Sequence, residues 1–90
     1  MSTPRLHLLT HPSAREACFP EVLPGDWLLL ADQGVLLLQG GHRWPEHVQL
    51  ACLQADCAAR GLPVPEGVHS LTDDAWVALV ARHEQVLSWL

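Results

Sequence analysis

The chain has 90 residues, 49% of them hydrophobic and 17% charged. That composition excludes a disordered tail and is expected to form a single domain over residues 1–90. All five positive charges are arginines, and the formal net charge of −5 argues against a sequence-independent grip on nucleic acid, which needs a basic surface. No apolar run reaches the roughly 18 residues of a membrane span, and Met1 to Arg5 opens no signal-peptide core before polar Thr10 and His11. Three cysteines is an odd number without a disulfide-framework spacing, so a reducing cytoplasm is the expected setting. Lys, Ile, Tyr and Asn are all absent, which reads as the bias of a GC-rich genome before it reads as a statement about charge.

Proline and glycine divide the chain into short segments. Leu6 to Thr10 reads as a strand, with His7 interrupting an apolar run. Ser13 with Glu16 three residues on has capping-box spacing, so a helix is expected from Ala14 towards Leu23. Pro20 kinks it or splits it near Phe19. Trp27 to Ala31 reads as a strand buried on both faces, because Leu28, Leu29 and Leu30 do not alternate with polar residues. Val35 to Gln39 fits either a strand or a helical turn.

Glu46 to Arg60 also has two readings. Pro45, the frequent alanines and Gly61 favour one helix. The alternative is a strand over Val48 to Cys52 followed by a helix from Gln54 to Arg60. Val68 to Leu71 reads as a last strand, and Ser70 with Asp73, or Thr72, caps a final helix. In that helix Trp76, Leu79, Val80, His83, Leu87 and Leu90 recur at helical steps, with Asp73 and Asp74 at its positive end. Strands alternating with helices predict an α/β fold with a mainly parallel sheet flanked by helices.

In this order the segments resemble the TusB/DsrH family of sulfur-relay subunits. The residues that carry the resemblance are His7-Leu8-Leu9-Thr10-His11-Pro12-Ser13, Pro24-Gly25-Asp26 before Leu28-Leu29-Leu30, and Gly34-Val35 after it. Leu53, Asp56, Ala59-Arg60-Gly61-Leu62 and a C-terminal helix carrying His83 and ending at Ser88-Trp89 complete the set. The resemblance implies a cytoplasmic DsrE/DsrF/DsrH-like fold. It selects strand plus helix for the ambiguous 46–60 segment. It further implies assembly with TusC-like and TusD-like (or DsrF/DsrE-like) subunits as a heterohexamer, a homodimer in isolation staying open.

In the TusB branch such a complex passes persulfide sulfur from TusA towards TusE for 2-thiolation of the tRNA wobble uridine. In the DsrH branch it serves sulfur oxidation. This chain is thus expected to be an accessory subunit of a sulfurtransferase complex, contacting neither nucleic acid nor membrane and needing no cofactor. Gln33-Gly34 stands where the family usually has Asp-Gly, with the acid one place earlier at Asp32.

Cys18 occupies the place of the cysteine that DsrH-type members carry in the first helix, and is the candidate persulfide carrier. Transfer needs a thiolate. Arg15 and His11 favour one and Glu16 and Glu21 oppose it, while a free cysteine also serves as a small buried hydrophobe. Cys52 and Cys57 read as packed thiols. The six histidines lack the clustered spacing of a metal site; His83 reads as a hydrogen-bonded core or interface residue. Trp76 is a core candidate. Trp44 and Trp89 are the candidate subunit-interface residues, because aromatics are enriched at interfaces and a terminus frays unless docked. An alternative function is a stand-alone small ligand- or metal-binding α/β module.

Overall fold

The structure, a computed structural model, describes residues 3–89. Five strands, β1 (Leu6–Leu9), β2 (Trp27–Leu30), β3 (Gln49–Leu53), β4 (His69–Leu71) and β5 (Val86–Trp89), form one sheet of order β4-β3-β2-β1-β5. Every pairing is parallel. The helices are α1 (Arg15–Cys18), α2 (Gln54–Ala59) and α3 (Asp73–Arg82). Three 3₁₀ segments, Pro12–Ala14, Phe19–Glu21 and Asp32–Leu38, complete the fold. This is the expected α/β class.

The topology decides which face each helix covers. From β1 to β4 the chain steps steadily towards one edge, then returns across the sheet to β5 on the far side of β1. Parallel crossovers keep one hand, so reversing direction puts the connection on the opposite face. Accordingly α1, α2 and the 3₁₀ segments cover one face, over Leu9, Leu28, Leu30, Leu50 and Cys52. Among the described residues helix α3 alone covers the other, setting Leu79 against Leu6, Leu29, Ala31, Ala51 and Leu53.

Local chemistry accounts for the boundaries. Pro20 ends α1, and the chain tightens into the 3₁₀ turn Phe19–Glu21, the split expected near Phe19. Val35 to Leu38 takes the helical alternative, as 3₁₀. Gly34 lies so close to β1 that a Cβ would stand 2.1 Å from the Leu9 carbonyl oxygen. The 46–60 segment is strand β3 plus helix α2, and the single-helix reading is overturned. Thr72 caps α3, accepting the Ala75 N–H.

Two further expectations are corrected. Ser13 is not the N-cap; His11 is, its Nδ1 accepting the Ser13 N–H at 3.1 Å. The final helix does not run to the C-terminus. It ends at Arg82, with His83 extended at φ −104° and ψ 130°, and Val86–Trp89 is strand β5. Leu87 therefore belongs to a strand, and Leu90 lies outside the described residues. The physical reason is β1: its second edge is free to pair, and Leu6 to Leu9 take Val86 to Trp89 in register.

Candidate functional site

The strongest polar constellation lies where β1, β2 and β5 meet. His7 is fully buried and Asp26 is 2% exposed. Asp26 precedes β2, placed by the Pro24-Gly25 turn, where Gly25 adopts φ +90°, a value side chains resist. Its Oδ1 accepts the Arg5 backbone N–H at 2.9 Å. Its Oδ2 accepts the Leu23 N–H at 3.0 Å and the Arg5 guanidinium at 3.3 Å. His7 Nε2 lies 2.9 Å from the same oxygen.

Trp89 fixes the histidine tautomer. Its indole N–H donates to His7 Nδ1 at 3.0 Å, and an indole can only donate. Nδ1 is therefore bare, and the ring proton sits on Nε2, donating to Asp26. Burial acts to raise the Asp26 carboxyl, but the Arg5 and Leu23 N–H groups, the His7 hydrogen bond and the Arg5 charge outweigh it and hold its pKa below the usual value. The rings of His7 and Trp89 stack at 6.1 Å. His7 is sealed from solvent. It clasps the C-terminal strand to the sheet.

The three residues singled out from sequence share one face of the sheet. Cys18 is fully buried in the core there, and Trp44 and Trp89 pack partly buried against that same core. Burial pushes the Cys18 thiol up to about 11, so at neutral pH it is a packed thiol. The neighbours that sequence proximity assigned to it are engaged elsewhere: Arg15 meets His42, and His11 meets the Ser13 hydroxyl at 2.8 Å. Trp44 tilts against Phe19 at 5.6 Å. With Phe19, Pro20, Arg43, Pro45 and Glu46 it borders an open depression of about 430 Å³. The docking that a terminal Trp89 requires is made within the chain, on His7.

Cys52 and Cys57 are both buried free thiols. Burial first, then the Cys57 thiol beside it, raises Cys52 to about 12. His83 Nδ1–H donates to the Leu79 carbonyl at 2.8 Å and closes the end of α3. Among the described residues no three His, Cys, Asp or Glu side chains are grouped to hold a metal ion. Among the described residues no helix is long and apolar enough to cross a membrane.

A second network sits at the carboxyl ends of the strands. Asp32 takes φ +51°, and its N–H is held by Asp56 Oδ2 at 2.7 Å. Arg60 donates to Asp32 Oδ1 at 2.9 Å and to the Asp56 carbonyl. Asp56 and Arg60 thereby tie α2 to the turn that follows β2. The residue pairs that sequence reading missed, His7 with Asp26 and Asp32 with Arg60, lie 19 and 28 positions apart. The one signal was a lone histidine inside an apolar strand.

No curated protein matches the chain. A family model does: the one described as "DsrH like protein" matches residues 10–86, from Thr10 just after β1 to Val86 at the start of β5, and so takes in the Asp26 turn, Asp32, Asp56 and Arg60. With a match over residues 10–86 of its 90, the chain belongs to the DsrH-like family and is a DsrH/TusB-type subunit.

Proposed function

We propose that this protein is a non-catalytic subunit of a sulfur-relay complex whose output is 2-thiolation of the tRNA wobble uridine. It works by docking to TusC-like and TusD-like subunits in a cytoplasmic heterohexamer, and the partners supply the exposed relay cysteine. The observation that carries this reading is the state of Cys18. A sulfur carrier must present a thiolate to donor and acceptor in turn, whereas Cys18 is buried and its thiol is raised. That favours the TusB-type role, which needs no cysteine at this position, over the sulfur-oxidation role in which Cys18 carries sulfane sulfur. The sealed His7–Asp26 pair points the same way, because it strengthens the fold and offers no reacting group. Trp44, beside its open depression, and the exposed part of Trp89 are the proposed contact residues.

Deleting the gene in its own host and measuring 2-thiouridine in bulk tRNA by mass spectrometry tests the reading. Loss of the modification, restored by both the wild-type gene and Cys18→Ser, is expected. Unchanged 2-thiouridine would refute it. A gain of one sulfur on Cys18 after exposure to a persulfide donor, absent in Cys18→Ser, would instead support the sulfur-carrying role. Co-expression with TusC-like and TusD-like chains should give a stable complex by sizing and native mass analysis.

A further inference from the structure

Helix α3 is built for contact on two sides, and the chain uses one. Residues 75–81 are all apolar, bounded by Asp73 and Asp74 at one end and Arg82 at the other. With 3.6 residues per turn, Trp76, Leu79 and His83 share one side, and Leu79 is buried there against the sheet. Asp74, Val77, Ala78 and Ala81 fall on the opposite side, at the i, i+3, i+4, i+7 steps of a packing stripe. All four are exposed, Val77 at 65%. An ordinary solvent face would be polar there.

We propose that this stripe is a self-association surface, on which α3 of a second copy lies antiparallel about a twofold axis. The charge layout selects that occupant. Among the described residues neither Asp73 nor Asp74 forms an ion pair within the chain. Arg82 rests 5.6 Å over the Trp27 ring instead of on a carboxylate. With Ala78 on the axis, Asp74 of each copy stands opposite Arg82 of the other, both four residues, about 6 Å, from the centre. A parallel arrangement would set aspartate against aspartate and arginine against arginine. The antiparallel one also opposes the two helix dipoles.

Packing agrees with the charges. Ala78 and Ala81 carry only a methyl group, which allows the axes to approach to about 8 Å, the close end of helix packing. Val77 then fills the space beside Ala81 of the other copy. The contact is isologous, as a twofold requires. It is one helix pair, smaller than the roughly 1,200–2,000 Å² of a stable complex, so association is weak and concentration-dependent. This proposal does not rest on the sulfur-relay reading.

Sedimentation equilibrium of the full chain from about 10 μM to about 1 mM tests it, with thermal melts by circular dichroism confirming that each variant folds. The wild type should pass from monomer to dimer across that range, and Val77→Asp should stay monomeric. Asp74→Arg and Arg82→Asp should each weaken association about tenfold, and the double reversal should restore it. A wild type monomeric throughout overturns the proposal, and would be the result if α3 is covered only by a different protein. A dimer indifferent to Val77→Asp, or a double reversal no better than the single ones, overturns it as well.

Discussion

The two faces of the sheet are built differently. Over one, five short helical or 3₁₀ segments enclose a core that includes Leu9, Cys18, Leu28, Leu30, Val35 and Cys52, all at 0% exposure. Over the other, α3 alone buries Leu6, Leu29 and Ala51, while Val77, Val80 and Val86 stay exposed. A chain this small cannot bury all its apolar surface. Most of its fully buried residues gather on one face and at the His7 clasp, and exposed apolar residues remain on the other. Cys18 belongs to the first region, and its burial there raises the thiol.

The largest effect that would break this contrast lies at the clasp. Asp26→Asn removes the charge that four donors converge on and should cost about 3 kcal/mol at pH 7, measured by urea denaturation. The pH dependence has a definite sign. The folded-state pKa of Asp26 lies below its unfolded value, so its contribution is complete above about pH 4 and is lost as pH falls through the folded pKa. The difference between wild type and Asp26→Asn should shrink over that acid range. A difference independent of pH would show that the carboxylate charge plays no part.

Next in size is the reactivity of Cys18. A thiol raised to about 11 holds far less thiolate at pH 8 than an ordinary cysteine near 8.5, so alkylation of the native protein should run roughly two orders of magnitude slower than in urea. Site-resolved iodoacetamide labelling measures this. Labelling of native Cys18 as fast as in the unfolded chain would place it outside the packed region.

How much of this was readable beforehand varies by region. Prolines and glycines marked the boundaries around α1 and β2 because their effects are local, whereas Pro45 and Gly61 favoured the single helix that β3 and α2 overturn. Thr72 announced the start of α3 for the same reason. The end of α3 was not readable. Leu87 follows His83 by four residues, so the apolar stripe runs on at helical spacing with no glycine or proline to stop it. Only the free edge of β1, 80 residues away, makes Val86 to Trp89 a strand. The clasp was hidden by the same distance. His7 looked like an interruption in an apolar strand and Asp26 like part of a turn. Neither carries a local sign that they meet at 2.9 Å.

A smaller effect sharpens the role of the C-terminal strand. Trp89→Phe keeps an aromatic ring, though a smaller one, and removes the indole N–H, leaving His7 Nδ1 without the donor it accepts from. A buried acceptor so deprived should cost about 1–2 kcal/mol. Amide exchange in β5 should quicken more than exchange in β3, because the clasp holds only the first of these. Equal changes in both strands would show that Trp89 stabilises the fold as a whole and not the terminal strand.

The smallest effect concerns the outer side of α3. Val77→Ser should change the stability of the dilute monomer by no more than about 0.5 kcal/mol. The reason is specific to the position. At 65% exposure Val77 gives up little buried area when truncated, and serine and valine have similar helix propensities. A loss of 1.5 kcal/mol or more would mean that Val77 packs inside the monomer. The two faces would then differ less than their burial indicates, and the outer side of α3 would be a second core. A near-zero change leaves Val77 without a packing role in the monomer, while Ala78 and Ala81 serve the helix through alanine's high propensity. Such a result fits the outward contact proposed for Val77.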